Sequence, residues 1–284
     1  MFWQNGTLHS SQTLTLEIDN PGWLYGATVF TTLRVYDRTL QHPLTHWNGH
    51  CDRLRHSITH FGWPQPNWDS IRQGAQTLLA HYPILRVTVF PDGSEVITGR
   101  SLPSDLDRRQ RNGICAWLAD EPQFQRTLAA HKTGNYLSAW LALQTARKME
   151  AEEAILTDRQ GHWLETSTGN LWGWQQDCWW TPPLEDESLE GGILPGLMRS
   201  QLMTCLQQRN LPVIQQPWTD EVVRGFEAIA YTNSVVEIVP LHTVTCTASQ
   251  TADRPRDRSW HSNPNHPQLA QLRHELHDMG NENR

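Results

Sequence analysis

Between residues 152 and 183 the chain reads as a run of short strands. "EEAILTD", "HWLETS", "GNLWGWQ" and "CWWTPP" follow one another, separated by the turns "RQG" and "QD". Apolar, β-branched and aromatic segments joined by such short turns pair with their neighbours, so this stretch is expected to form a β-meander. Within it, "WGWQQDCWW" places four tryptophans in nine residues. At alternating positions on a meander such rings fill a core or a subunit interface. The competing reading is an exposed aromatic platform, as in a non-enzymatic binding module.

Helical and strand patterns surround the meander. "TLTLEI" alternates, and "ATVFTTLRVYD" is β-rich through Asp37. "HWNGHCDRLRHSITHFG" and "NWDSIRQGAQTLLAHY" read as helices, the second with Asn67 or Asp69 as its cap. "ILRVTVF", the turn "PDGSE" and "VITGR" close a first α+β domain. The polar stretch "SLPSDLDRRQRN" reads as a linker. After it come the strand "GICAWLA" and a helix from near Asn135 to about Glu150, with Leu137, Trp140, Leu141 and Gln144 on one face. Beyond the meander, "LMRSQLMTCLQQRN" and "TDEVVRG" read as helices, and "FEAIAYTNSVVEIVPL" completes a second unit. The expected division is an N-terminal α+β domain over 1–108, a C-terminal α+β domain over 109–247, and a flexible segment with a short final helix over 248–284.

Composition narrows the function. A net charge of −7 lacks the basic face that nucleic-acid binding requires. No apolar run approaches a membrane span, and "MFWQNGTLHS" lacks a signal peptide's regions, so a cytoplasmic location is expected. The five cysteines are scattered, with no CxxC pair, and read as free thiols. "HSITH" is a weak histidine pair with no carboxylate at hand, so no metal site is expected.

Of the 23 cationic side chains, 21 are arginine; the lysines are Lys132 and Lys148. Lysine, unlike arginine, can lose its proton in a desolvated site and attack a carbonyl. Lys148 sits among charges in "TARKMEAEE", a solvated context. Lys132, in "HKTGNYLSAW", is accompanied elsewhere in the chain by four features, three after it and one before, that suit an aldehyde cofactor bearing a phosphate. Glu165 ends the strand "HWLETS", where a carboxylate can hold a pyridine nitrogen protonated. "GGILPGLMR" opens a helix whose free N–H groups, at Leu197 and Met198, suit a phosphate. "YTNSVVEIVP" sets Asn233 and Ser234 at a strand end. "HCDRL" puts Arg53 on a helix, where its fork can clamp a phosphate. Each feature alone has an ordinary structural explanation; their order together is more specific.

In that order the chain resembles the class IV pyridoxal-phosphate enzymes: branched-chain aminotransferases, D-amino acid aminotransferases and 4-amino-4-deoxychorismate lyases. The stretch from Lys132 through "ETSTGNLW" to "ILPGLMR" carries the resemblance, with "FTTLRVYD" and "HCDRL" upstream. It covers about residues 1–245. The resemblance implies the two-domain α+β architecture of fold type IV, pyridoxal 5′-phosphate as cofactor, and a homodimer. It implies Lys132 as the Schiff-base lysine, Glu165 as partner of the ring nitrogen, and Arg53, the amides of Leu197 and Met198, and Ser234 as the phosphate cup, with Asn233 beside it. Met198 stands where many relatives carry threonine, leaving only its amide to offer. Tyr136 is implied at the cofactor's phenolic oxygen. Within the family, "VFTTLRV", Asn233 in "YTNS" and the N-terminal "NG" look lyase-like, whereas "KTGNYL" and "EIVP" are shared with the aminotransferases. The lyase reading implies 4-aminobenzoate and pyruvate as products, with Thr32, Arg34 and Arg86 as candidate contacts for the substrate carboxylates.

Overall fold

The computed structural model describes residues 1–184, 191–246 and 258–282. It has α+β content and divides into two units. The first gathers Met1–Pro103 and, from farther along the chain, His131–Asn135; the second comprises Ser104–Ala130 and Tyr136–Asp278. The segment carrying Lys132 thus clusters with the first unit, although the expected division put it in the second. The cause is strand pairing. Val29 and Thr133 form an antiparallel bridge. Phe30 N donates to Lys132 O at 2.8 Å, and Gly134 N donates to Thr28 O at 2.7 Å.

In the first unit, β1 (Phe2–Gln4), β2 (Thr7–His9), α1 (Pro21–Tyr25), β3 (Val29–Arg34), α2 (Trp47–His60), α3 (Trp68–Leu78), β4 (Ile84–Val89) and β5 (Glu95–Arg100) follow in order. The strands form one antiparallel sheet, ordered β2-β1-β5-β4-β3. Leu33, Leu54, Ile58, Ile71, Leu78, Leu85 and Ile97 build the core that binds α2 and α3 to it. Asn67 caps α3, its Oδ1 accepting from Ser70 N at 3.0 Å. "TLTLEI" is not a strand. Leu16 packs on Phe2, Phe90 and Val96, but no neighbouring strand pairs with the segment and Ile18 is exposed. Alternation without a pairing partner does not make a strand.

In the second unit, α4 (Leu106–Asn112), β6 (Ile114–Ala119), α5 (Leu137–Lys148), β7 (Glu153–Thr157), β8 (Trp163–Thr166), β9 (Asn170–Gln175) and β10 (Cys178–Thr181) are followed by α6 (Leu197–Gln208), β11 (Val213–Gln215), α7 (Asp220–Arg224), β12 (Ala228–Asn233), β13 (Glu237–Cys246), β14 (Arg258–His261) and α8 (Pro267–Glu282). The expected linker therefore contains a helix, α4. The sheet runs β11-β10-β9-β12-β13-β6-β7-β8, and a further pairing of β8 with β9 closes it on itself. The expected meander is present, and its rings are covered: Trp163, Trp172 and Trp179 are fully buried, Trp174 and Trp180 nearly so. That leaves no exposed platform for the binding-module reading. On α5 the face of Leu137, Trp140 and Leu141 is exposed, and the buried side is Ala139, Ala142 and Ala146. Small residues let the helix lie close to the sheet, so size rather than hydrophobicity chose its inner face. The stretch expected to be flexible lies partly outside the described residues; the expected final helix is α8.

Candidate functional site

The first unit offers the cationic groups. Its β3 has two functional faces, because side chains alternate along a strand. On one face Thr31 meets α2. Arg53 Nη2 donates to Thr31 Oγ1 at 2.6 Å, and the same hydroxyl lies 2.6 Å from His50 Nδ1. His50 is buried; its pKa is driven well below the usual imidazole range by burial first, then by Arg53, His46 and Lys132 nearby. Thr31 accepts from Arg53 and shares a second hydrogen bond with His50 Nδ1, whose direction depends on the tautomer of the ring. Two side chains that sequence reading passed over, Thr31 and His50, therefore aim Arg53. The spacing of His50 and Arg53, three apart on one helix, was the available signal.

On the other face of β3 lie Phe30, Thr32 and Arg34. Thr32 is paired with Arg86 of β4. The Phe30 ring has two cations on it: the Arg86 guanidinium at 3.6 Å and Lys132 Nζ at 4.9 Å from the centroid. Arg34 lies over Tyr36 at 4.7 Å. Lys132, Thr32, Arg34 and Arg86 are thus brought together on one strand face. Behind Lys132, a side chain at Gly134 would overlap Thr28 Oγ1 and the Gly26 carbonyl, so the segment lies on β3 only with glycine there.

The second unit offers the carboxylate and a helix end. Glu165 is buried on β8. Its Oε1 forms an ion pair with Arg126 Nη1, and its Oε2 accepts from Leu194 N at 3.2 Å. Glu165 is paired across the strands with Asn170, whose Nδ2 donates to Leu194 O at 2.9 Å. The two side chains therefore grip both ends of one residue in "GGILPG". Their interval of five is set by the turn between β8 and β9, where Thr166 Oγ1 accepts from Gly169 N at 2.9 Å. Below this turn the buried Glu153 accepts from Ser167 Oγ, from Thr168 Oγ1 at 2.6 Å and from Ala154 N at 2.9 Å. Burial raises its pKa despite those bonds.

The same asparagine explains the glycine before α6. A Cβ at Gly196 would overlap Asn170 Oδ1. Gly196 is the N-cap of α6 and makes no side-chain cap bond, and the helical ladder starts with Ser200 N on Gly196 O at 2.9 Å. The amides of Leu197 and Met198 thus have no acceptor within the helix, and the helix dipole adds to their pull on an anion. Met198's side chain is buried, so its backbone is what it can offer. Arg199, beside them, turns away: it bonds Thr181 Oγ1 at 3.2 Å and Gln215 Oε1 at 2.8 Å, and burial lowers its pKa to about 10.

Asn233 and Ser234 lie where β12 turns into β13. Asn233 Oδ1 accepts from Val235 N and Val236 N at 2.9 and 3.0 Å, so the asparagine shapes the turn that presents Ser234. Tyr136 is the N-cap residue of α5, its ring 5.1 Å from the Arg126 guanidinium. Arg126 was not singled out from the sequence. Its link to Glu165 spans 39 residues and leaves no local signature. Among the described residues no group of three His, Cys, Asp or Glu is placed to hold a metal ion.

Known proteins share this fold. The family model for amino-transferase class IV matches residues 28–244. The aminodeoxychorismate lyase of Vibrio harveyi is 24% identical over 257 residues, covering 85% of this chain and 90% of that one. A branched-chain-amino-acid aminotransferase of Salmonella typhimurium is 23% identical over 265 residues, covering 85% and 84%. Among solved structures, a putative 4-amino-4-deoxychorismate lyase of Legionella pneumophila superposes with a TM-score of 0.76 at 21% identity, covering 96% of this chain and 98% of that one. The chain belongs to the class IV aminotransferase family and has the fold of type IV enzymes. Enzymes of this class depend on pyridoxal 5′-phosphate.

Proposed function

We propose that the chain is an aminodeoxychorismate lyase, which converts 4-amino-4-deoxychorismate into 4-aminobenzoate and pyruvate, a step toward folate. The donor set fits pyridoxal 5′-phosphate. Lys132 is the amine that attaches it, and Glu165 the carboxylate for its ring nitrogen. Tyr136 serves the phenolic oxygen. Arg53, Ser234 and the amides of Leu197 and Met198 receive the phosphate, with Asn233 setting the angle of Ser234. When bound, the cofactor supplies a carbonyl for the substrate's amine and a sink for its electrons.

The observation that carries the lyase reading is the cationic strand face of Thr32, Arg34 and Arg86. Aminodeoxychorismate has two carboxylates, one on the ring and one on the enolpyruvyl group. Two guanidiniums and a hydroxyl on one face suit such a substrate. The Lys132 amine, released when the substrate's amine takes its place, removes the proton from the ring carbon as general base. The enolpyruvyl C–O bond then breaks, the ring becomes aromatic, and a proton delivered to the departing group gives pyruvate.

The second reading is an aminotransferase acting on branched-chain or D-amino acids; "KTGNYL" and "EIVP" favour it. Incubation with aminodeoxychorismate, and in parallel with those amino acids plus 2-oxoglutarate, separates the two. The lyase gives pyruvate and 4-aminobenzoate in equal amounts with no oxo-acid acceptor. Glutamate formed at enzymic rates without 4-aminobenzoate establishes the aminotransferase.

We also propose a cytoplasmic homodimer. Supporting it, Trp23 and Tyr25 of α1 are 69% and 77% exposed, and Trp140 of α5 is 54% exposed. Such rings on a monomer's surface are covered at low cost by a second copy. A monomer by light scattering at working concentration would overturn this.

A further inference from the structure

Arg126 forms a buried ion pair with Glu165, their side chains 7% and 5% exposed. It is also anchored through Nη2 to Ala129 O at 3.3 Å and lies over the Tyr136 ring. Burial works against its charge, but Glu165 and Tyr136 beside it more than offset that, and its pKa is raised. Glu165 spends one lone pair on Arg126 and one on Leu194 N. A carboxylate has about four such sites, so each oxygen keeps one for a further donor. The pair borders a cavity of about 260 Å³.

We propose that Arg126 is a positioning residue that acts through Glu165: it holds that group as an oriented carboxylate, and so sets how strongly the chain prefers a ring nitrogen to a ring carbon in its cofactor. The proposal rests on the reading that Glu165 meets the pyridine nitrogen. With Arg126 in place, a protonated ring nitrogen gains a charge-assisted hydrogen bond, while a C–H at the same position leaves a buried anion short of a donor. Without Arg126 the buried carboxylate loses its counter-charge and the fork that fixes its direction. A carboxylate free to turn gains less from a ring nitrogen and loses less beside a ring carbon, so the preference shrinks.

The test uses apo-protein, pyridoxal 5′-phosphate and its 1-deaza analogue, in which carbon replaces the ring nitrogen. Both carry the same aldehyde and phosphate, so the ratio of their dissociation constants, read by quenching of tryptophan fluorescence, isolates the nitrogen. The wild type is expected to prefer pyridoxal 5′-phosphate by about tenfold or more. Arg126→Gln should reduce that ratio to about threefold or less, and Arg126→Lys, which keeps the charge without the fork, should retain an intermediate ratio. If both affinities fall together and the ratio is unchanged, Arg126 only holds its loop and the proposal is overturned. If Arg126→Gln does not fold by circular dichroism, Arg126→Lys decides: a wild-type ratio there overturns it. A wild type that does not distinguish the two cofactors would instead strike the reading of Glu165, a failure visible before any variant is made.

Discussion

The first unit holds Thr32, Arg34 and Arg86 on one face of an open antiparallel sheet and Arg53 on the helix against the other, whereas the second holds Glu165 on a buried strand of a sheet closed on itself. Arg86 and Lys132 lie on the Phe30 ring, Arg34 lies on Tyr36, and Arg53 is held by Thr31. Glu165 is an anion sunk beside Trp163 and tied down by an arginine and a backbone amide. One side relies on polar contacts among partly accessible groups, the other on burial. Side chains held in the first way should tolerate changes in packing but not in chemistry, and those held in the second way should be sensitive to both.

The largest effect is expected at Lys132. Lys132→Arg keeps the charge over Phe30 and removes the amine that can form a carbonyl adduct. Attachment of cofactor, read by mass spectrometry after borohydride reduction, should be abolished while the fold persists. An adduct found on Lys148 would overturn the assignment and with it the first unit's place in the chemistry.

Next in size is a packing change in the second unit. Trp172 is fully buried, its Nε1 donating to Thr232 Oγ1 at 3.2 Å, and it follows Asn170 on β9. Trp172→Ala should lower stability by about 3–5 kcal/mol. The thermal midpoint should fall sharply, and Asn170's hold on Leu194 should loosen with it. A change under about 1 kcal/mol would mean the strand carrying Asn170 is not held by burial, and the contrast between the units would fail.

Glu165→Gln keeps the size of the side chain and removes the charge that pairs with Arg126. It is expected to keep cofactor bound while turnover falls by roughly two orders of magnitude, about 2.7 kcal/mol of transition-state stabilisation. Near-normal turnover would remove the electron-sink role.

These residues differ in how much of their role could be read from the chain. Glu165, Asn170 and Gly196 act through a short turn and a helix start, so their spacing is visible as a motif, and the structure supplies its cause. Lys132 stood out because arginine replaces lysine almost everywhere else. Arg126 and Thr31 act across 39 and 22 residues, on Glu165 and on Arg53, and nothing local marks such contacts. The inner face of α5 was illegible for a different reason. Its alanines are less hydrophobic than the leucines and tryptophan opposite, and close approach to the sheet outweighed hydrophobicity. "TLTLEI" alternates as a strand does, yet strand formation is decided by a partner elsewhere.

The smallest expected effect gives the units opposite responses to acid. His50, His46 and His131 of the first unit all have lowered pKa values, burial being the leading cause in each. Below a pH of about 6.5 the unfolded chain takes up protons that the folded histidines refuse, so folding weakens as pH falls through that window toward the folded values. Glu153 of the second unit has the reverse sign. Its folded pKa is raised, so its contribution is full below the unfolded value of about 4.5 and is lost as pH rises through the folded one. Acidification from neutrality should therefore loosen the first unit and, through Glu153, favour the second. Hydrogen exchange read by mass spectrometry between pH 7.5 and 5.5, corrected for intrinsic rates, resolves them: amides of α2 should lose protection while those of β7 do not. His50→Asn keeps a polar side chain beside Thr31 and removes one titrating ring. It should flatten the loss in α2 by at most about 1.4 kcal/mol per pH unit. An α2 profile identical to the wild type's would show that His50 does not carry the acid sensitivity, leaving His46 and His131 as its source.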